Sequence, residues 1–394
     1  MDYKLKSQIK FDKLFAVCVM SLLLLIVTSC SCHNALNNEK LLDESGFQPA
    51  NHQFIQYLGR IDFSDSTKPV FSYPAVSIEF LFEGTSASVY MKDFSDRAIE
   101  PTGRPRRNMF NVYIDQNEPF VLELNDTSLL YLLVKDLKDT VHSARVVKRT
   151  ESLVGKVEFA GIQLDTNAVL VEPPLETRIK MEFIGNSITC GYGVEAPNQN
   201  TSFDCETENA SLAYGAVTAK AFDAEYVAVA YSGRGVAQNY GGQPGSFVPE
   251  IWERIFPDEE SPLWDHNMYI PDIVFINLGT NDVNSGAFDT TLFKNSYTKF
   301  IKDIREKYTE ALIVCLLGPM LNDSYPSGAL SLVRNLISSV VSAKQVSGDE
   351  KLYFFEFSPQ TGSLGYGADW HPSVAQQNYN ANELIEYIRE ITNW

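Results

Sequence analysis

The chain has 394 residues, of which 44% are hydrophobic and 21% charged, and its formal charge is −18. That length exceeds one typical domain and predicts two, each with enough apolar residues to build a core. A surface this acidic repels nucleic acid and anionic head groups, which excludes polyanionic partners and fits a neutral substrate.

The first residues read as a targeting segment. Lys4, Lys6, Lys10 and Lys13 make a basic start, and Leu14 to Val27 form an apolar stretch too short to span a bilayer comfortably. It ends in Val27-Thr28-Ser29-Cys30, which resembles a bacterial lipobox. Residues 1–29 are then a lipoprotein signal peptide, Cys30 the lipidated first residue of the mature chain, and residues 30–50 a tether. The alternative is an ordinary cleaved signal peptide. The expectation is an exported protein that meets the membrane, periplasmic or at the cell surface, only through its lipid anchor. Removal of residues 1–29, with four lysines and two aspartates, brings the charge to −20.

Residues 51–172 carry short alternating runs. Val76 to Phe82, the turn Gly84-Thr85-Ser86 and Ala87 to Met91 predict a hairpin. Further strands are expected over 110–114, 120–124, 130–133, 145–150 and 157–164, with no helix between them. That rhythm predicts a β-sandwich or jelly roll. Pro173-Pro174 opens a linker over 173–177. From residue 178 to 394 the rhythm changes. Strands over 179–184, 224–230, 273–278, 311–317 and 352–357 alternate with helices over 211–222, 292–308, 329–344 and 374–392. Such alternation predicts an α/β domain with a parallel sheet covered on both faces.

The first of these strands ends in Gly185-Asn186-Ser187-Ile188-Thr189. Ser187 is therefore expected at the carboxyl edge of the sheet, where ligands bind in open α/β folds, and is a candidate nucleophile. Five histidines could serve it. His33 falls in the tether, and His52 and His142 in the sandwich. His266, in Trp264-Asp265-His266, also has an adjacent acid and is the rival base, but it precedes its strand and so lies on the wrong side of the sheet for Ser187. His371 is favoured over it, in Asp369-Trp370-His371-Pro372 just before the last helix. Asp369 there can reach Nδ1 of the ring and leave Nε2 free to accept the serine proton. For the developing oxyanion, Gly233 follows one strand in Ala230-Tyr231-Ser232-Gly233, and Asn281 follows another in Gly279-Thr280-Asn281. Each alone reads as turn punctuation. Each after its own strand, together with the N–H of Ser187, they give three donors on one edge.

Export removes Cys18 and leaves Cys30, Cys32, Cys190, Cys205 and Cys315 in an oxidising compartment. A Cys190–Cys205 disulfide is open on this spacing and would brace the loop after Ser187. Cys315 reads as a buried strand residue. No pair has zinc-site spacing, so neither metal nor cofactor is expected.

The set resembles the SGNH, or GDSL-type, hydrolases, in which serine, glycine, asparagine and histidine occur in this chain order. The resemblance covers Arg178 to Trp394. It implies that Ser187 is the nucleophile, Gly233 and Asn281 are oxyanion donors, and Asp369 and His371 complete a triad. The preceding sandwich, Phe159-Ala160-Gly161-Ile162-Gln163-Leu164, the Cys190-Gly191-Tyr192-Gly193 turn and the Asp-Trp-His-Pro loop are similar to carbohydrate esterase family 2. Membership there implies metal-independent removal of acetyl groups from plant polysaccharides such as xylan and glucomannan. The expected partner is then an acetylated polysaccharide or oligosaccharide, with Tyr192, Tyr240, Trp264 and Trp370 as candidate sugar contacts. One departure is Asn186, where the superfamily usually has aspartate. The amide keeps an acceptor oxygen and loses the charge. A broader lipase, thioesterase or acyltransferase of the superfamily, or a glycan-binding lipoprotein with an inactive hydrolase domain, are the alternatives.

Overall fold

The computed structural model describes residues 45–394. The signal segment, Cys30, Cys32 and His33 lie outside the described residues. After β1 (Phe47–Pro49) come β2 (Gln56–Leu58), β3 (Ile61–Asp62), β4 (Val70–Phe71), β5 (Ser77–Gly84), β6 (Ala87–Ser95) and β7 (Met109–Ile114). These are followed by β8 (Phe120–Glu123), β9 (Leu130–Val134), β10 (Thr140–Lys148), β11 (Gly155–Leu164) and β12 (Val169–Val171). One antiparallel sheet has the order β3-β4-β11-β6-β9, and a second the order β12-β5-β10-β7-β8 with β2 also on β5. Alternating side chains point every second residue inward. The inner faces meet through contacts such as Phe71 against Phe110, edge to face at 6.3 Å. The strand expected over 145–150 starts earlier, at Thr140. The alternation through Val141 and His142 continues the pairing with β5, and the strand stops where residues 149–151 turn into a short 3₁₀ helix (Ser152–Val154).

The second half is a five-stranded parallel sheet in the order β14-β13-β15-β16-β17. These strands are β13 (Lys180–Gly185), β14 (Glu225–Ala230), β15 (Ile273–Asn277), β16 (Leu312–Leu317) and β17 (Leu352–Glu356). All five residues of β15 are buried, as a sheet covered on both faces requires. Three long helices do much of the covering: α5 (Thr290–Lys307), α6 (Ala329–Val346) and α7 (Val374–Ile391). Asp289 caps α5 by accepting the Thr291 and Leu292 N–H groups, and Ser373 caps α7 by accepting from Gln376. Four shorter helices complete the set: α1 (Ser187–Cys190), α2 (Tyr214–Ala221), α3 (Val248–Trp252) and α4 (Thr280–Val283). The helix expected from residue 211 begins only at Tyr214. The Asn209 side chain caps a separate 3₁₀ turn over Ala210–Leu212, and Ala213 then takes extended backbone. Among the described residues no helix is long and apolar enough to cross a membrane.

Polar groups with no access to water join the antiparallel sheets to the parallel one. Arg60 pairs with Glu182 on β13 at 3.0 Å, each only 1% exposed. The Arg60 guanidinium also donates to the carbonyls of Trp252 and Arg254. Burial pushes the Glu182 carboxyl up, and Arg60 opposes that shift. Tyr73 donates to the Ile251 carbonyl at 2.8 Å, and Asn111 to Asn209 at 2.9 Å. Buried charge of this kind is tolerated only when paired and hydrogen-bonded.

Candidate active site

The order β14-β13-β15 places the strand that ends before Ser187 between its two successors, at the point where the strand order reverses. Ligands bind at that point in doubly wound sheets. β13 passes into α1 with a single intervening residue, Asn186, whose side-chain oxygen accepts the Ile188 N–H at 3.2 Å. So abrupt a turn brings Gly185 against the first helical turn. A Cβ on Gly185 would lie 2.1 Å from Thr189 Oγ1, so no larger residue fits. As the first residue of α1, Ser187 has an N–H with no acceptor inside the helix. The amide nitrogen of Asn186 is buried without a partner.

His371 reaches Ser187 from the loop ahead of α7, with Nε2 2.8 Å from Oγ. The ring is oriented from its other side by the Ala368 carbonyl, which lies 3.0 Å from Nδ1. That contact corrects the expectation for Asp369. Its carboxylate is turned away from the imidazole and accepts the Tyr192 hydroxyl at 2.8 Å. The reason is local: Asp369 and Trp370 both take left-handed backbone, φ 47° and 66°, which folds the loop so that a main-chain oxygen, not the acid, faces the ring. Tyr192 stacks on His371 with centroids 4.2 Å apart, so the Asp369 carboxylate is hydrogen-bonded to a ring that packs on the imidazole, and its charge favours the imidazolium without a direct side-chain bond. Burial pushes the His371 imidazolium down to about 4, which leaves the ring neutral. α7 is tied to the serine helix, since Gln377 donates to the Ile188 carbonyl at 3.0 Å.

Gly233 and Asn281 line the same cleft, of about 930 Å³, as Ser187 and His371. Gly233 needs its φ of 76°, which β-carbons disfavour, and nothing lies within 4 Å of where a Cβ would stand. Asn281 spends one amide hydrogen on the Arg234 carbonyl at 2.8 Å, and its other hydrogen remains for a ligand. Asp282, fully buried beside it, receives the N–H groups of Val236, Ala237 and Gln238 at 2.8–3.1 Å. Burial raises its carboxyl to about 6 against those three donors. Nothing in the sequence singled out Asp282.

Three further expectations are corrected or refined. Trp264, expected near a sugar, lies outside the cleft and faces Arg60 at 5.4 Å. Trp370 and Tyr240 do line the cleft and are 55% and 59% exposed. Cys190 and Cys205 are free thiols in separate surroundings, so no disulfide links them. Cys190 lies 3.7 Å from Glu151 Oε2, whereas Cys205 packs with Met109, Val154 and Phe203. His266 is enclosed by Trp252, Tyr308 and Glu253, and its burial lowers it to about 3. Two groups, Glu100-Asp204-Cys205 and Glu151-Cys190-Glu208, bring ligand-type atoms within 4.8 Å of one another. In both, a carboxylate already accepts a backbone N–H, from Cys205 and from Ser232.

A hydroxyl–imidazole pair at the carboxyl edge of a parallel sheet, facing amide donors, has the layout of a GDSL-type hydrolase domain. Residues 183–378 match the family model for GDSL-like lipases and acylhydrolases, and residues 57–174 match that for the N-terminal region of carbohydrate esterase 2. A solved family two carbohydrate esterase from Clostridium thermocellum, in complex with cellohexaose, is 36% identical. The likeness covers 86% of this chain and 99% of that one, with a TM-score of 0.80. The cellulase/esterase CelE of Acetivibrio thermocellus is 38% identical over 86% of this chain, which spans 40% of that protein's length. An acetylxylan esterase/glucomannan deacetylase of Cellvibrio japonicus is 27% identical, over 94% of this chain and 98% of its own. The chain belongs to carbohydrate esterase family 2 and is a carboxylic ester hydrolase.

Because the Asp369 carboxylate is bonded to Tyr192 and not to the imidazole, Asp369→Ala should lower kcat on an acetate ester by no more than about tenfold, where loss of a true triad acid costs about 10⁴. A steady-state comparison with His371→Ala decides this, and equal losses would return Asp369 to the triad. His371 must be neutral to take a proton. With its acid form lowered to about 4, kcat/KM should hold level down to about pH 5 and fall below that. A pH–rate profile breaking near the ordinary histidine value of 6.5 would contradict that environment.

Proposed function

We propose that this protein is an exported lipoprotein, anchored at Cys30, that removes O-acetyl groups from plant cell-wall polysaccharides or their oligosaccharides, such as xylan and glucomannan. Residues 51–172 form its β-sandwich domain, 173–177 the linker and 178–394 the catalytic domain. The observation that carries the reading is the 2.8 Å separation of Ser187 Oγ and His371 Nε2 in a cleft that Gly233 and Asn281 also line. His371 Nε2 takes the Ser187 proton as Oγ attacks the acetyl carbonyl carbon. The carbonyl π electrons move to oxygen, and the resulting oxyanion accepts hydrogen bonds from the N–H groups of Ser187 and Gly233 and the Asn281 amide. The bond to the sugar oxygen then breaks, and that oxygen takes the proton from His371. Water repeats the sequence on the acetyl-serine, releasing acetate and restoring the serine. Amide donors of this kind contribute about 3–4 kcal/mol each to such a transition state.

Tyr240 and Trp370 offer exposed aromatic faces beside the serine, which suit sugar rings better than extended acyl chains. The relatives named acetylxylan esterase/glucomannan deacetylase support the same substrate class.

Ser187→Ala should abolish acetate release from acetylated xylan and glucomannan while leaving the thermal midpoint within a few degrees. Unchanged release would remove Ser187 as nucleophile. In a nitrophenyl ester series, butyrate and longer chains should turn over far more slowly than acetate, and comparable rates would favour a broader acylhydrolase. For the anchor, cells fed labelled fatty acid should label the wild-type protein and not Cys30→Ala, and persistent label would place the lipid elsewhere.

A further inference from the structure

The segment between β10 and β11 belongs to the antiparallel half of the molecule, yet it reaches directly beneath the proposed oxyanion pocket. Glu151, at the start of the 3₁₀ turn, is wholly buried. Its Oε2 accepts the N–H of Ser232 at 2.8 Å, and Ser232 is the residue before Gly233. The same oxygen lies 3.7 Å from the thiol of Cys190, which donates to it from the last residue of the serine helix α1. One carboxylate oxygen thus holds both the turn that carries the Gly233 N–H and the helix that carries the Ser187 N–H.

The main chain on which Glu151 sits is fixed by buried charged groups, while its Oε1 is buried without a hydrogen-bond partner. The Glu151 N–H donates to Glu208 Oε2 at 2.9 Å. Its carbonyl accepts from the buried Lys148 ammonium at 3.1 Å, and that ammonium also donates to the Thr150 carbonyl at 2.7 Å. Burial pushes both carboxyls up and lowers Lys148 to about 8. Two acids so close cannot both ionise in a dry interior. Whichever of the two holds the proton, Glu151 Oε2 is the oxygen that accepts from Ser232 and Cys190.

We infer that Glu151 is a positioning residue for ester hydrolysis: through Ser232 and Cys190 it sets the spacing between the Gly233 and Ser187 amides that receive the oxyanion. The inference rests on the proposed oxyanion assignment. An interaction of this kind counts in the transition state and not in sugar binding, so it belongs to kcat. Misplacing a donor by about 1 Å can cost about 10²-fold in rate.

Two conservative variants separate acceptor reach from charge. Glu151→Asp keeps the charge and withdraws the oxygen by one methylene. Glu151→Gln loses the charge but keeps an oxygen for Ser232 and gains an N–H for Glu208. On nitrophenyl acetate, Glu151→Asp should lower kcat about 10- to 100-fold with KM within twofold, and Glu151→Gln should stay within about fivefold of wild type. A role in stability alone would reverse that ranking or move the thermal midpoint without separating kcat from KM. Full kcat in Glu151→Asp, equal losses in both variants, or a change confined to KM would each overturn the inference. Should Glu151→Asp fail to fold, Glu151→Met, with similar length and no oxygen, takes its place with the same expected loss. Ser187→Ala assayed alongside separates the two ideas. Activity surviving in Ser187→Ala defeats the nucleophile assignment, whereas a dead Ser187→Ala with an unaffected Glu151→Asp defeats only the role of Glu151.

Discussion

The parallel sheet ends all five strands on one edge, and everything at the site depends on how three of them stay in register. Ile184 is opposite Ile276, and Gly185 opposite Ala230. The turns after β13, β14 and β15 therefore leave the sheet at nearly one level, carrying Ser187, Gly233 and Asn281. Slipping one strand by a single residue would move its turn by about 3.3 Å. Reacting groups tolerate far less than that. The apolar burial that locks the strands in place is thus also what aligns the chemistry.

Turns that leave a sheet this sharply abandon their ladder hydrogen bonds, and buried amides cannot be left unpaired. Here the solution is buried carboxylate. Asp282 gathers three consecutive N–H groups of the turn after Gly233, and Glu151 takes the one just before it. Ionised acceptors form stronger hydrogen bonds than neutral carbonyls, which offsets part of the cost of burying their charge. The loop of His371 is held differently, by carbonyls: the Ala368 N–H donates to Gly193 and the Gly367 N–H to the His371 carbonyl. One side of the cleft is therefore organised by buried carboxyl groups, and the other chiefly by main-chain hydrogen bonds, with the Asp369–Tyr192 and Gln360–Trp370 contacts beside them.

This division explains what could be read from the sequence. The strand and helix alternation followed from apolar periodicity, and the expected helix over 374–392 starts where Ser373 caps it and ends one residue early because Thr392 takes extended backbone. Ser187 and His371 could be found because each follows a recognisable turn and few histidines compete. Asp369 looked like the orienting acid because adjacency in sequence suggests contact. Two left-handed residues in a row break that suggestion, and no composition or spacing signals them. Cys190 and Cys205 likewise looked like partners by proximity in the chain, whereas their thiols face different pockets. Glu151 and Asp282 had no signature at all. A carboxylate that caps distant amides is defined only by tertiary structure, and Glu151 reaches Ser232 across 81 positions.

The Arg60–Glu182 pair has a meaning for how such a protein can be inherited. Glu182 lies on the strand that leads to the serine, and its countercharge comes from the other half of the molecule. A gene fragment encoding the parallel sheet alone would bring an uncompensated carboxylate into its own core, and one encoding the antiparallel half would strand a guanidinium. Residues 48–394 form a single compact unit. Recombination that moved either half to a new setting would therefore have to change position 60 or 182 at the same time. The natural unit of exchange is the pair of halves, copied together.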